Sequence, residues 1–272
     1  MDEHRTVNRA HWDEATDVHV ASDFYDVASF RAGENRLHGI ERAELGDVSG
    51  TTLLHLQCHF GLDTLSWARL GADVTGIDFS ERAIAQARAL SAELDIPARF
   101  LVSDLYELPT NLDGQFDIVF TSYGAIYWLP DIKRWGEIAA GYVKPGGTFY
   151  IAEFHPVGFM FDTPFGEDLP MKDYERKYPY FHSEVPIRDE SSDYADPAVA
   201  MSNTLTYSWS HSMSDIVNAL VSGGLQIQYF HEFDFSTVRQ FPFLEQRVDG
   251  YWHVPEGMHD MPMLFSIKAR KP

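Results

Sequence analysis

The chain has a single cysteine among its 272 residues, Cys58, so no intrachain disulfide can form. Basic residues are scarce as well: 21 Lys and Arg face 41 Asp and Glu, a formal charge of −20. A field of that sign repels phosphate backbones, which argues against nucleic acid as a partner; otherwise it serves mainly to keep a chain dissolved. No apolar run approaches the roughly 18 residues needed to span a bilayer. The opening MDEHRTVNRAHWDEATDVHV lacks the basic start and apolar stretch of a signal peptide. These absences predict a soluble, cytoplasmic protein with no membrane partner and a reduced thiol, and they leave a homodimer open. Internal repeats and low-complexity tracts are absent too.

What is present is an alternation of strand and helix signals from residue 52 to 155. Thr52 to Gln57 reads as a short apolar strand, Asp63 to Leu70 as a helix ended by Gly71, and Asp73 to Ile77 as a second strand. Glu81 to Leu94 carries Ala83, Ile84, Ala87, Leu90 and Leu94 at helical spacing, and Arg99 to Val102 follows as a third strand. Phe116 to Thr121 is the fourth, a helix runs from about Asp131 to Val143, and Thr148 to Phe154 is the fifth strand. Residues 156–206 mix prolines, aromatics and acids without a period, which predicts an insertion acting as a lid. A helix at Ser212 to Val221 and strands at Leu225 to Phe230 and Met263 to Arg270 complete the pattern. The expected architecture is one α/β domain, 1–272, with a Rossmann-like, doubly wound, mostly parallel sheet. It divides into an N-terminal helical cap (1–45), a cofactor-binding half (50–155), the lid (156–206) and a sheet-completing end (207–272).

In such a sheet the ligand crevice lies beyond the carboxyl ends of the strands, where strand order reverses. That selects Gln57 to Gly61, Asp78, Asp104, Tyr123 and Glu153 to His155. Asp78 stands 21 positions after Gln57, the separation at which an acid ending the second strand can accept from ribose hydroxyls. An adenosine-bearing ligand follows. A dinucleotide would also need bare backbone N–H groups against its diphosphate, the purpose of glycines in that turn. Gln57-Cys58-His59-Phe60 before a lone Gly61 is too crowded for that.

The stretches LLHLQCHFG, VTGIDFS, FLVSDLYELP, FDIVFTSYG and VKPGGTFYIAEF, in that order, resemble the class I S-adenosylmethionine-dependent methyltransferases. The resemblance covers roughly residues 50–155, departs from the usual first motif at His55, Gln57, His59 and Phe60, and extends loosely past residue 224. It implies seven strands with the last antiparallel, S-adenosyl-L-methionine as cofactor, and methyl transfer to an oxygen or nitrogen of a small-molecule substrate. It further implies that Asp78 binds the ribose hydroxyls, that Phe79 and Leu105 flank the adenine, and that Asp104 accepts from the adenine amine. Gln57, His59 and Gly61 would line the methionine portion, and Tyr123 would face the sulfonium or the substrate.

Other residues have plainer roles. Ser80 is the expected N-cap of the helix from Glu81. His55, Cys58 and His59 suggest zinc only superficially, since a structural site wants four ligands and no C-x-x-C pair exists, so no metal is expected. His55 is instead expected as a buried residue bonded to neighbouring backbone, and Cys58 as a small apolar filler. His155, after the fifth strand, is the leading candidate for a general base. Tyr123, Tyr127 and His211 are the others. Aromatics at Tyr174, Tyr178, Tyr180, Phe181, Trp209, Phe233, Phe235, Tyr251 and Trp252 either wall a pocket or fill core. The acids Glu167, Asp168, Asp173, Glu175, Glu184, Asp189 and Glu190 read as a solvated face. Two competing functions remain: an NAD-linked oxidoreductase, and a non-catalytic binding protein whose pocket is filled by His59 and Phe60.

Overall fold

The computed structural model describes residues 2–161 and 175–272. The chain opens with three helices, α1 (Glu3–Ala21), α2 (Val27–Arg31) and α3 (Gly39–Leu45). Then come β1 (Thr52–Leu56), α4 (Leu62–Arg69), β2 (Asp73–Asp78), α5 (Glu81–Glu93) and β3 (Arg99–Val102). A short α6 (Leu108–Asn111) leads to β4 (Phe116–Thr121), α7 (Ile132–Tyr142) and β5 (Val143–Phe154). After the described gap follow β6 (Ile187–Glu190), β7 (Leu205–Ser208), α8 (Met213–Ser222) and β8 (Gln226–Phe233). Three two-residue strands, β9 (Phe235–Ser236), β10 (Glu245–Gln246) and β11 (Trp252–His253), precede β12 (Leu264–Arg270).

Seven strands form the main sheet in the order β3-β2-β1-β4-β5-β12-β8, and β12 runs antiparallel to both its neighbours. The expected Rossmann-like architecture is therefore present. Strand order reverses between β1 and β4, which places Gln57 and Ser122 at the mouth of the crevice. The central strands are buried on both faces. In β1, Leu54 and Leu56 join the cluster of β5, β12, α7 and α8, while Leu53 joins Trp67, Phe120 and Tyr150 on the opposite face. Helix α7 earns its place by spacing: Ile132, Trp135, Ile138, Ala139 and Tyr142 fall on one buried stripe. It packs so closely on α8 that a Cβ at Gly136 would lie 2.5 Å from the Ala219 carbonyl oxygen. Only glycine allows that approach.

Element ends differ slightly from expectation. Strand β5 begins at Val143 rather than Thr148, because Val143 pairs with Phe116 and a register shift absorbs the Pro145-Gly146-Gly147 stretch. Strand β2 includes Asp78, and β8 continues to Phe233. Ser80 caps α5 as expected, accepting from the Ala83 N–H at 3.0 Å. His55 is a correction: its ring bonds Thr64 Oγ1 at 2.8 Å and Ser122 Oγ at 3.1 Å, both side chains, because its strand's backbone groups are consumed by the ladders to β2 and β4. Part of the insertion forms a β6/β7 ladder. Tyr174, Glu167, Asp168 and Asp173 lie outside the described residues. Among the described residues no helix is long and apolar enough to cross a membrane.

Candidate functional site

The turn after β1 keeps a glycine-like backbone while carrying side chains. Gln57 sits at φ 56°, His59 at φ 50° and Gly61 at φ +83°. Left-handed conformations at non-glycine residues cost roughly 1–2 kcal/mol each. They persist here because the turn is pinned from several sides. The Cys58 N–H donates to the Ile77 carbonyl at 2.8 Å, the Gly61 N–H to the Cys58 carbonyl at 2.9 Å, and the His59 N–H to Asp78 Oδ2 at 2.8 Å. Gly61 has a further constraint, since a Cβ there would meet the Phe100 ring at 2.8 Å.

Asp78 closes β2 and is 7% exposed. Its Oδ1 accepts from the Ser80 N–H at 2.9 Å and its Oδ2 from His59, so each oxygen retains a lone pair. Burial, with the Asp13 charge adding to it, raises its carboxyl to about 6 against the pull of the Ser80, His59 and Phe79 N–H groups. Asp104, also buried, lies beyond β3, where its Oδ1 accepts from Arg5 Nη1 and from the Tyr106 N–H, both at 2.8 Å. Its Oδ2 has no partner among the described residues. Phe79 is half-buried beyond β2, and Leu105 is buried in the main core beside Leu56 and Ile77. Gln57 reaches across the crevice, its Nε2 donating to the Ala125 carbonyl at 2.8 Å, and its Oε1 is buried without a partner among the described residues.

Four predicted catalytic candidates lie apart from this turn. The Tyr123 hydroxyl donates to Glu41 Oε2 of α3 at 3.0 Å, and burial pushes the Glu41 carboxyl up to about 8. Tyr127 stacks on Phe159 at 4.4 Å and lines a narrow cleft with Glu153, Trp209, Ser210 and His211, about 20 Å³ of free space. His155 turns toward β8: its Nδ1 accepts from the Val157 N–H at 3.2 Å, and its Nε2 lies 3.0 Å from Glu232 in an approach too oblique for a good hydrogen bond. Its Nε2 faces that carboxylate, its Nδ1 is taken by Val157, and the residue is 3% exposed. The role of base expected for it does not follow from this placement. In His211, Nε2 bonds the Leu129 carbonyl at 2.8 Å, Nδ1 has no partner among the described residues, and burial lowers the ring to about 4.

The residues that sequence reasoning missed come from α1 and the segment near residue 193. Besides Arg5, α1 supplies Asp13, whose Oδ1 accepts from Ser80 Oγ at 2.7 Å, and Trp12, edge-on to His59 and to Trp128 at 5.3 Å each. His19 bonds His59 at 2.7 Å and Asp193 at 2.8 Å. Tyr25 and Tyr194 join hydroxyls beside them. One signal existed: Asn8, His11, Ala15, Val18 and His19 recur at helical spacing, and a buried stripe that is largely polar implies a helix laid over polar machinery.

A family profile described as "Methyltransferase domain" matches residues 53–147. Over that stretch, which spans β1 to the early part of β5, the chain is similar to methyltransferase domains. A ubiquinone biosynthesis O-methyltransferase of Bordetella avium is 32% identical over 118 residues, 43% of this chain and 48% of the relative. A methyltransferase of Synechocystis sp. without assigned substrate is 32% identical over 136 residues, 48% of this chain and 61% of that one. The chain thus spans about half the length of the first of these relatives. Among solved structures, an S-adenosylmethionine-dependent methyltransferase from Mesorhizobium loti superposes with TM-score 0.57 at 20% identity, covering 89% of this chain and 100% of that one. A glycopeptide N-methyltransferase complexed with S-adenosyl-L-methionine gives 0.53 at 18% identity, covering 86% and 92%. At those identities the structures share the methyltransferase fold.

Proposed function

We propose that the chain carries out S-adenosyl-L-methionine-dependent methyl transfer to an oxygen or nitrogen of a small molecule. The observation that carries this is the state of the turn's donors. The N–H groups of Cys58, His59 and Gly61 are committed to Ile77, Asp78 and Cys58, so none of the three is free for a diphosphate. The turn's environment instead offers acceptors. Asp78 has a spare lone pair on each oxygen for ribose hydroxyls, Asp104 Oδ2 is free for the adenine amine, and the orphaned Gln57 Oε1 suits an ammonium. Unpaired, that buried amide oxygen is costly, and a cationic donor relieves it. Bound there, the cofactor supplies an electrophilic methyl on sulfur. The protein's contribution is alignment of the acceptor atom, since displacement with a good leaving group is chiefly a problem of geometry.

Phe79 and Leu105 are assigned to the adenine faces and Gly61 to the close approach of the methionine portion. The formal charge of −20 supports a ligand other than nucleic acid. Calorimetric titration with S-adenosylmethionine and, separately, with NAD tests the assignment. Binding of the first alone is expected, and binding of NAD alone would overturn it. One observation favours a second reading, a non-catalytic binding protein: Trp12, His19 and His59 pack across the turn. No binding of S-adenosylmethionine at millimolar concentration would select it.

A further inference from the structure

Three groups from separate parts of the chain form one hydrogen-bonded line across the first turn. Asp193 Oδ2 lies 2.8 Å from His19 Nε2, and His19 Nδ1 lies 2.7 Å from His59 Nε2. The His19 and Asp193 side chains are 0% and 1% exposed, so water does not compete for their bond. A carboxylate only accepts, so His19 Nε2 is the donor. With His19 neutral, its Nδ1 is then an acceptor and His59 Nε2 carries the hydrogen. By that logic His59 Nδ1 holds a lone pair, and it has no partner among the described residues. The ring belongs to a half-buried residue of the turn that lines the proposed cofactor site.

We propose that His59 Nδ1 is the atom that takes the proton from the methyl-accepting group, with His19 and Asp193 as positioning residues that carry the charge inward. This rests on the methyl-transfer assignment above. It also narrows the substrate to an acceptor with an ionisable proton, a hydroxyl or an ammonium, and excludes a thioether or a tertiary amine. The proton balance closes within the chain. The O–H or N–H bond of the acceptor breaks, its electron pair stays on the acceptor atom, and the proton bonds to His59 Nδ1. The His59 Nε2 proton passes to His19 Nδ1, and His19 becomes an imidazolium that still donates to Asp193. His59 ends neutral, with its proton on the other nitrogen.

The relay answers a difficulty that a lone base at this position would face. Burial, followed by the neighbouring His19, holds the His59 ring well below the ordinary imidazole range. Charge placed on His19 instead sits 2.8 Å from a carboxylate. Burial opposes ionisation of Asp193, but its hydrogen bond from and attraction to His19, with the N–H groups of Ala195 and Asp196, keep it low. The other ionisable groups around the line are His11 of α1, Tyr25 before α2, Tyr194 beside Asp193, and Asp78 through the His59 N–H. None of them competes for His59 Nδ1.

The test is imidazole nitrogen NMR on the intact, uniformly 15N-labelled protein across about pH 5 to 8, where imidazoles titrate. At the upper end both rings are expected with hydrogen on Nε2. Proton uptake by the pair is expected to switch His59 to its Nδ1–H tautomer. Asp193→Asn should weaken that uptake at least about tenfold, and Asp193→Glu should restore it. Found on Nδ1 at the upper end, the His59 hydrogen would overturn the proposal, as would a titration indifferent to Asp193→Asn. Should the Asn variant fail to fold, the wild-type tautomers alone decide. With phenol and primary amine acceptors, Asp193→Asn should lower kcat about tenfold and shift its pH profile, with cofactor KM held. Calorimetry separates the two claims: no S-adenosylmethionine binding defeats the functional assignment, whereas binding alongside the wrong tautomer defeats only this one.

Discussion

Replacing Asp78 by asparagine separates what this carboxylate costs the fold from what it gives a ligand. Moving its carboxyl from 3.8 to about 6 makes the ionised side chain costlier in the folded protein by about 3 kcal/mol at pH 8, at roughly 1.4 kcal/mol per tenfold in proton affinity. Asparagine removes that burden. It also presents an amide NH₂ to one of two N–H groups, Ser80 or His59, that now donate to separate carboxylate oxygens. An orphaned buried donor costs roughly 1–3 kcal/mol. The two terms oppose each other, so urea denaturation at pH 8 should show a net change of less than about 2 kcal/mol. Ligand affinity has no such compensation: two acceptors for ribose hydroxyls become one, and a charge-assisted bond worth about 1.5–3 kcal/mol is lost, a weakening of roughly 10- to 100-fold by calorimetry. The sign with pH is fixed by the direction of the shift. A raised carboxyl is protonated below about 6, so wild-type affinity for S-adenosylmethionine should fall as pH drops through 6 and level off above 7, whereas the asparagine variant should lack this step. Equal affinities for the two proteins, or a wild type indifferent to pH across that interval, would refute the assigned contact.

Gly61→Ala combines a left-handed backbone with a Cβ 2.8 Å from the Phe100 ring, so chemical denaturation should report a loss of about 2–4 kcal/mol. A loss below 1 kcal/mol would show that the turn can relax. Arg5→Ala removes the partner of an Asp104 side chain that is 4% exposed. Stability should fall by about 1–3 kcal/mol, and amides of α1 should exchange faster by mass spectrometry, whereas unchanged exchange would mean the ion pair does not hold the helix. Glu153→Gln leaves one carbonyl oxygen where a carboxylate now accepts from the N–H groups of Gly124, Ala125, Ile126 and Phe154. A melting temperature within a degree of wild type would contradict the expected destabilisation of about 2 kcal/mol or more.

The strands, and hence the acids that end them, were legible because a parallel sheet buried on both faces demands apolar runs. Thr52–Leu56, Asp73–Asp78 and Phe116–Thr121 supply those runs at helix-length intervals. The N-cap at Ser80 was legible for a local reason, a hydroxyl one residue before the helix. The conformation of the first turn was not, because nothing in Gln57 or His59 announces a positive φ. That strain is imposed by Asp78, which grips the His59 N–H from 19 positions away. Longer reach hid more. Arg5 meets Asp104 across 99 positions and His19 meets Asp193 across 174, contacts that periodicity within a helix cannot encode. The orientation of His155 was not legible either, because strand-end placement fixes which end of the sheet a residue occupies, not which way its ring turns. Its ring faces Glu232 because β12 carries β8 alongside the sheet's far edge.

Helix α1 is bonded on both sides. Toward the sheet it holds Asp104, Ser80 and His59 through Arg5, Asp13 and His19. Toward the later segment, Asn8 exchanges two hydrogen bonds with the Tyr207 backbone at 2.7 and 2.8 Å, His11 meets the Asn203 carbonyl at 2.7 Å, and Glu14 accepts from the N–H groups of Ser202 and Asn203 at 2.8 Å each. Asn8 is 1% exposed, so separating it from Tyr207 strands two buried backbone groups and an amide, at roughly 1–3 kcal/mol for each unsatisfied group. Displacing α1 without residues 202–208 is therefore dearer than displacing both, and residues 209–211, which line the cleft beside Tyr127, follow directly in the chain. Asn8→Ala cuts the link to Tyr207 while leaving the sheet-side bonds, and those of His11 and Glu14, untouched. Amide exchange at Tyr207 should accelerate at least tenfold, a change of about 1.4 kcal/mol in local stability. S-adenosylmethionine should then lower exchange across α1 and at Ser202 and Asn203, which Glu14 still holds, but no longer at Tyr207. Protection that still reaches Tyr207 in the variant would mean that residue 207 is coupled to the site by a route other than Asn8.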